Sequence, residues 1–155
     1  MPDQQLTERL RSDSPRATAE IAAKVADRLV PGDVALLRGE LGTGKTSFVR
    51  AAARALGVET PVTSPTFAIG NLYSASQCEI AHLDLYRLAE IEFADEAVVD
   101  DFLTPERIGF VEWPHDQLEA ELLPRVVVTF EHAGDDDREI ELRWRQDPPD
   151  WPDDV

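Results

Sequence analysis

Gly39-Glu40-Leu41-Gly42-Thr43-Gly44-Lys45-Thr46 decides how this chain is read. A glycine, four free positions, then glycine, lysine and a hydroxyl residue form the pattern of a phosphate-binding loop, which holds a nucleoside triphosphate. The chemistry calls for these residue types. A triphosphate offers many oxygens and little shape, so backbone N–H groups must converge on it, and glycines reach the conformations that allow this. Lys45 supplies a point charge for the outer phosphates, and the Thr46 hydroxyl is suited to one position on a magnesium ion. The helix that follows aims its positive N-terminal end at the same oxygens. The chain has only two lysines, Lys24 and Lys45. At this composition the four specified positions would arise about once in two thousand shuffled sequences. The flanks agree: Val34-Ala35-Leu36-Leu37 reads as a buried strand, and Phe48, Val49, Ala52, Ala53 and Leu56 share one helical face ahead of Gly57.

The composition bounds the rest. With 155 residues, 43% of them hydrophobic, the chain can bury one core, so we expect one domain over residues 1–145. The tail 146–155, with three prolines and several acids, is expected to be mobile. The lone Cys78 excludes an internal disulfide framework, and no early apolar run has signal or membrane length, so no membrane association and a cytoplasmic location are expected. Cys78 itself reads as structural. The formal net charge of -16 argues against tight direct binding of nucleic acid, which normally needs a basic face. It suits solubility, or docking onto a basic partner surface.

Outward from the loop, Ser14-Pro15 reads as a cap followed by proline at the first helical position. Ile21, Ala22, Val25, Ala26 and Leu29 then give an apolar stripe that stops at Pro31-Gly32. Leu6 and Leu10 fit a short edge strand before it. Beyond Gly57, Val62 to Phe67 reads as a loop entering a strand, with a break at Gly70-Asn71. Glu79–Asp84 reads as a strand, Glu90–Thr104 as one helix or two, and Ile108–Glu112 as a second buried strand closed by Trp113-Pro114. A polar connector then leads to two strands, Arg125–Glu131 and one containing Ile140, Leu142 and Trp144, joined as an antiparallel hairpin. The fold class expected is therefore α/β: a P-loop NTPase domain with a mostly parallel central sheet, flanking helices and a C-terminal antiparallel hairpin.

Three strands end in polar groups: the loop after Leu37, Asp84 after Leu83, and Glu112 after Val111. Parallel strands would gather them at one edge, where ligands of open α/β sheets bind. Magnesium needs a protein carboxylate besides the phosphate oxygens. Glu112, at the end of an almost wholly apolar strand, fits that pattern better than Asp84, which is suited to orient a water or act as a base. Arg38, Arg87 and Arg138 are candidates to neutralise developing charge, and Ser64 and Thr66 are either turn residues or nucleotide sensors. His82 reads as packed. Trp113 is open to stacking, to a partner surface or to the core.

Four motifs in order, the loop continued by Ser47-Phe48, then Ser64-Pro65-Thr66-Phe67, His82-Leu83-Asp84-Leu85-Tyr86-Arg87-Leu88 and Glu112-Trp113-Pro114, make most of the chain similar to the TsaE family. These are small bacterial ATPases needed to form threonylcarbamoyladenosine in tRNA beside the anticodon. The resemblance implies weak ATP hydrolysis with magnesium and association with the TsaB and TsaD proteins, through which tRNA is chiefly contacted. It implies that ATP is held by Gly42, Thr43, Gly44, Lys45, Thr46 and Ser47, with Lys45 and Asp84 in catalysis and Thr46 and Glu112 as the magnesium residues. Arg138 would approach the nucleotide, and Ser14 would border the adenine. After Leu88 the chain departs from the family pattern, since a glycine-containing stretch is replaced by Glu96-Ala97-Val98-Val99-Asp100. A small-molecule kinase is disfavoured because no arginine-rich lid segment exists, and a GTP switch because neither lysine lies in an Asn-Lys-x-Asp motif.

Overall fold

A computed structural model describes residues 6–40, 42–62, 70–85, 95–113, 116–135 and 137–145, with side chains in the third and fourth helices described from residues 99 and 119. The chain starts with β1 (Leu6–Ser12) and α1 (Pro15–Asp27). Ser14 sits in extended backbone and its hydroxyl accepts from the Ala17 amide at 3.1 Å, so the first helix begins where its cap dictates. Then follow β2 (Val34–Gly39), α2 (Lys45–Ala55), β3 (Gly70–Ser74) and β4 (Glu79–Asp84). The remainder comprises α3 (Asp95–Phe102), β5 (Arg107–Glu112), α4 (Asp116–Leu122), β6 (Val126–His132) and β7 (Arg138–Trp144).

The seven strands form one sheet in the order β1-β7-β6-β2-β5-β4-β3. Its central four strands, β6, β2, β5 and β4, are parallel, and the antiparallel pairs lie outside them on both sides. The hairpin β6–β7 extends one side, and β1 forms the edge as its leucines suggest. Two faces explain the two apolar clusters. Ala35, Leu37, Ile80, Phe110, Val128, Phe130 and Ile140 face α1 and α2, whereas Leu36, Leu83, Val111 and Val127 belong to the cluster that includes Val99 of α3 and Leu122 of α4. Helices on both faces are why β2 is apolar on both sides. Phe48 of α2 meets Phe130 edge-on with ring centroids 5.5 Å apart, and burial of each such side chain contributes about 1.5–3 kcal/mol. No helix among the described residues is long and apolar enough to cross a membrane.

Two local readings are corrected. Gly70-Asn71, read as a break, are themselves strand residues of β3, while 63–69 lie outside the described residues. The glycine is there because a Cβ would lie 2.4 Å from a Leu83 methyl and 3.0 Å from the Phe102 ring, so close packing rather than a turn demands it. The polar connector after Pro114 contains α4, whose Glu119 carboxylate bridges Arg38, at 2.5 Å, and Arg143. The Glu96–Asp100 stretch that departs from the family pattern is helical, within α3.

Candidate functional site

The loop leaves the carboxyl end of β2 between β5 on one side and β6 on the other, where strand connections diverge. Its first residue is forced to be glycine: Gly39 has φ 147°, and a Cβ there would sit 2.7 Å from the Phe130 carbonyl oxygen. Gly44 (φ 100°) occupies the cap of α2 and offers no capping side chain, and the first turn of that helix has no acidic residue. The amides at the start of α2 are thus open to an anion, with the helix dipole behind them. The Thr43 hydroxyl donates to the Glu40 carbonyl at 2.6 Å, bracing the turn. Ser47 is exposed in the first turn of α2.

Lys45 is 5% exposed. Its Nζ donates to the carbonyls of Gly39 and Glu40, at 2.7 and 2.8 Å, and lies 4.0 Å over the Trp113 ring. Burial lowers its pKa, while the Glu112 and Asp84 carboxylates pull it back up. Trp113 therefore stacks on the loop lysine, at φ 61°, a left-handed conformation in which its amide still donates to Leu37. Neither the ring contact nor this backbone turn is readable from Glu-Trp-Pro alone.

Glu112, 2% exposed, ends β5 opposite Leu37 of β2 and Asp84 of β4. The Thr46 hydroxyl lies 3.1 and 3.2 Å from its two carboxylate oxygens, so α2 and β5 bring a hydroxyl and a carboxylate to one point below the loop. Hard oxygen ligands of this kind match magnesium, with the remaining positions left to phosphate and water. Among the described residues no group of three His, Cys, Asp or Glu forms a metal cluster. Asp84 is half-buried and stands opposite Glu112 at the carboxyl edge of the sheet.

His82, read from the sequence only as packed, is fully buried and does more. Its Nε2 is 2.5 Å from Oε2 of Glu112. Arg38, by contrast, is not at the site. Alternation along β2 sends Leu37 to the α2 side and Arg38 to the other, where Glu119 holds it. Arg138 does reach the loop: its Nη2 donates to the Gly42 carbonyl at 3.3 Å. Ser14 caps α1, and because Ser12 pairs with Arg138 across β1 and β7, the start of that helix lies two residues from the arginine's partner. Ser64, Thr66 and Arg87 lie outside the described residues, as does the 146–155 tail. Cys78 is half-buried, and burial raises its thiol pKa, against a reactive thiolate.

Beside the loop opens a cleft of about 630 Å³, lined by Gly39, Glu40, Trp113 and the end of β6 from Thr129 to His132. That volume is in the range of small-ligand sites. If the loop holds a nucleotide, removing the Arg138 guanidinium should weaken that binding without unfolding the protein, because the residue is half-buried and touches the loop through one long hydrogen bond. For Arg138→Ala we expect a loss of about three- to tenfold in affinity, read by calorimetry, corresponding to about 1 kcal/mol.

A family model described as "Threonylcarbamoyl adenosine biosynthesis protein TsaE" matches residues 12–140. The chain is 37% identical over 132 residues to the tRNA threonylcarbamoyladenosine biosynthesis protein TsaE of Bacillus subtilis, covering 84% of this chain and 81% of that one. It is 33% identical over 131 residues to the protein of the same description from Treponema pallidum, covering 83% and 95%. To that of Aquifex aeolicus it is 40% identical over 85 residues, 54% of this chain and 64% of the relative. The crystal structure of Bacillus subtilis YdiB superposes with a TM-score of 0.73 at 30% identity, over 92% of this chain and 88% of that one. The matched span runs from the end of β1 to the middle of β7 and takes in the loop, Asp84, Glu112 and Arg138. The chain belongs to the TsaE family.

Proposed function

We propose that this chain binds ATP with magnesium at the carboxyl edge of its sheet, hydrolyses it weakly, and serves the formation of threonylcarbamoyladenosine in tRNA by acting on the TsaB–TsaD proteins. The observation that carries this reading is the Thr46 hydroxyl against both oxygens of a buried Glu112 directly beneath the glycine loop. The relatives' names supply the tRNA modification.

Each residue has a task in this reading. The amides from Gly42 to Thr46 and the α2 dipole hold the phosphates, Lys45 meets the outermost ones, and Ser47 borders them. Thr46 and Glu112 hold magnesium, which when bound neutralises charge on the phosphate oxygens. Asp84 orients the water, and Arg138 secures the loop at Gly42 while approaching the nucleotide. Ser14, whose hydroxyl is engaged in its cap, borders the adenine through the backbone at the start of α1. With a net charge of -16, tRNA is met through the partners, and the work of hydrolysis goes to them in the cytoplasm.

The test is a pull-down of the full chain with purified TsaB and TsaD, in ATP and in EDTA, paired with ATPase assays. Capture of both proteins and a rise in turnover of tenfold or more is expected. Recovery of neither protein, with turnover unchanged by their addition, counts against the reading.

A further inference from the structure

Of the two side chains that hydrogen-bond to the Glu112 carboxylate among the described residues, Thr46 and His82, the histidine has no place in the roles above. It lies on β4, opposite Phe110 of β5, and so stands diagonal to Glu112 on the same sheet face, the one covered by α2. It is fully buried, and Nε2 lies 2.5 Å from Oε2 of Glu112. An ionised carboxylate only accepts, so the ring nitrogen carries the hydrogen and donates it. The other ring nitrogen, Nδ1, is buried with no hydrogen-bond partner among the described residues. Among the described residues the imidazole is therefore tied through its ring nitrogens to Glu112 alone.

The backbone at Glu112 is already fixed from both sides. The Trp113 amide donates to Leu37 at 3.1 Å, and the Leu85 amide donates to the Glu112 carbonyl at 3.0 Å. What those bonds leave loose is the side chain, with three rotatable torsions and two equivalent oxygens. A donor held rigidly in the neighbouring strand removes that freedom.

We propose that His82 is a positioning residue: its Nε2–H anchors Oε2 of Glu112, leaving Oε1, 3.1 Å from the Thr46 hydroxyl, committed to the divalent cation. This rests on the reading of Glu112 as a magnesium residue. Partners that orient a metal-binding carboxylate typically matter by ten- to a hundredfold in metal affinity.

The experiment measures, by calorimetry, binding of the β,γ-imido analogue of ATP to the full chain during a magnesium titration and again in EDTA. His82→Phe keeps an aromatic ring in the strand and removes the donor. His82→Gln places an amide N–H near the Nε2 position. For His82→Phe we expect about tenfold more magnesium to be needed for half of the magnesium-dependent gain in affinity, with affinity in EDTA within about twofold of wild type. His82→Gln should return to within about threefold of wild type. An unchanged magnesium requirement in His82→Phe, or an equal loss with and without magnesium, overturns the proposal. If His82→Phe does not fold, a folded His82→Gln with wild-type magnesium dependence supports the proposal and one lacking it overturns it. Glu112→Gln is run alongside. If that variant keeps the wild-type magnesium dependence, the magnesium reading of Glu112 itself falls, a result distinct from failure of His82→Phe alone.

Discussion

Lys45→Ala should abolish measurable binding of ATP while leaving the fold intact. The lysine is the one cation placed within the loop, its Nζ seated on the Gly39 and Glu40 carbonyls and above the Trp113 ring. A charge-assisted contact to phosphate contributes up to about 3 kcal/mol, so its loss lowers affinity by a little over a hundredfold. The two carbonyls released lie at the surface end of β2, where Glu40 is exposed and water can replace the ammonium. Normal ATP affinity in this variant would sink the phosphate-loop assignment. Lys45→Met, which keeps the stem against Trp113, separates packing from charge and gives a second readout. Burial holds the Lys45 pKa below the ordinary 10.5, against the pull of Glu112 and Asp84. The folded protein therefore gives up this proton before the unfolded chain does. In the interval below 10.5 the unfolded chain binds more protons, so this group's contribution to stability rises with pH. Urea titrations at rising pH below 10.5 should show wild type gaining on Lys45→Met. A constant or shrinking difference would mean the ammonium is not buried as described.

Glu112→Ala is expected to have the second largest effect, and on a different quantity. Magnesium-dependent turnover should fall by about a hundredfold or more, whereas nucleotide affinity in EDTA should fall far less, because in the proposed site the loop holds the phosphates. Unchanged turnover removes the role given to Glu112. The variant also removes the acceptor of the buried His82 N–H. Orphaning a buried donor costs about 1–3 kcal/mol, so the melting temperature should drop by several degrees. A buried carboxylate facing two donors thus contributes to stability and to the site together, and measuring turnover and melting on one preparation separates the two.

What could be read in advance follows from how local each signal is. The strand, loop and helix from Val34 to Ala55 are specified by adjacent residues: apolar on both faces, glycines where φ is positive, then a helical stripe. Ser14-Pro15 is equally local, and the structure starts α1 there. The meeting of the loop, Asp84 and Glu112 needed only the assumption of parallel neighbours, which the pairing of β2, β5 and β4 bears out. Signals that depend on register were not legible. His82 looked like any packed residue in an apolar strand, because its bond to Glu112 depends on which residues of β4 and β5 stand opposite each other. Arg38 follows the loop strand so closely that it resembled a site residue. A one-residue alternation turns it to the far face, onto a glutamate of α4. The seven-residue α4 was invisible because its span carries too few apolar positions to show a period. Gly70 looked like a breaker since the side chains that crowd it, Leu83 and Phe102, are distant in sequence.

The placement of β7 between β6 and β1 has a consequence for how the molecule is made. Leu6 pairs with Trp144, so the first described strand cannot find its neighbour until the last described one has been synthesised. During translation the parallel centre, β2, β5 and β4, can assemble while β1 waits, tethered through α1, as an unpaired edge open to wrong partners. Closing that long interval carries a loop-closure cost that the local contacts of the centre do not. Arg138 arrives on the same late strand and reaches Gly42 only then. The nascent chain would therefore hold a loop with its glycines and lysine in place but its hairpin clamp missing, and the three- to tenfold loss expected of Arg138→Ala would apply to every chain still short of β7.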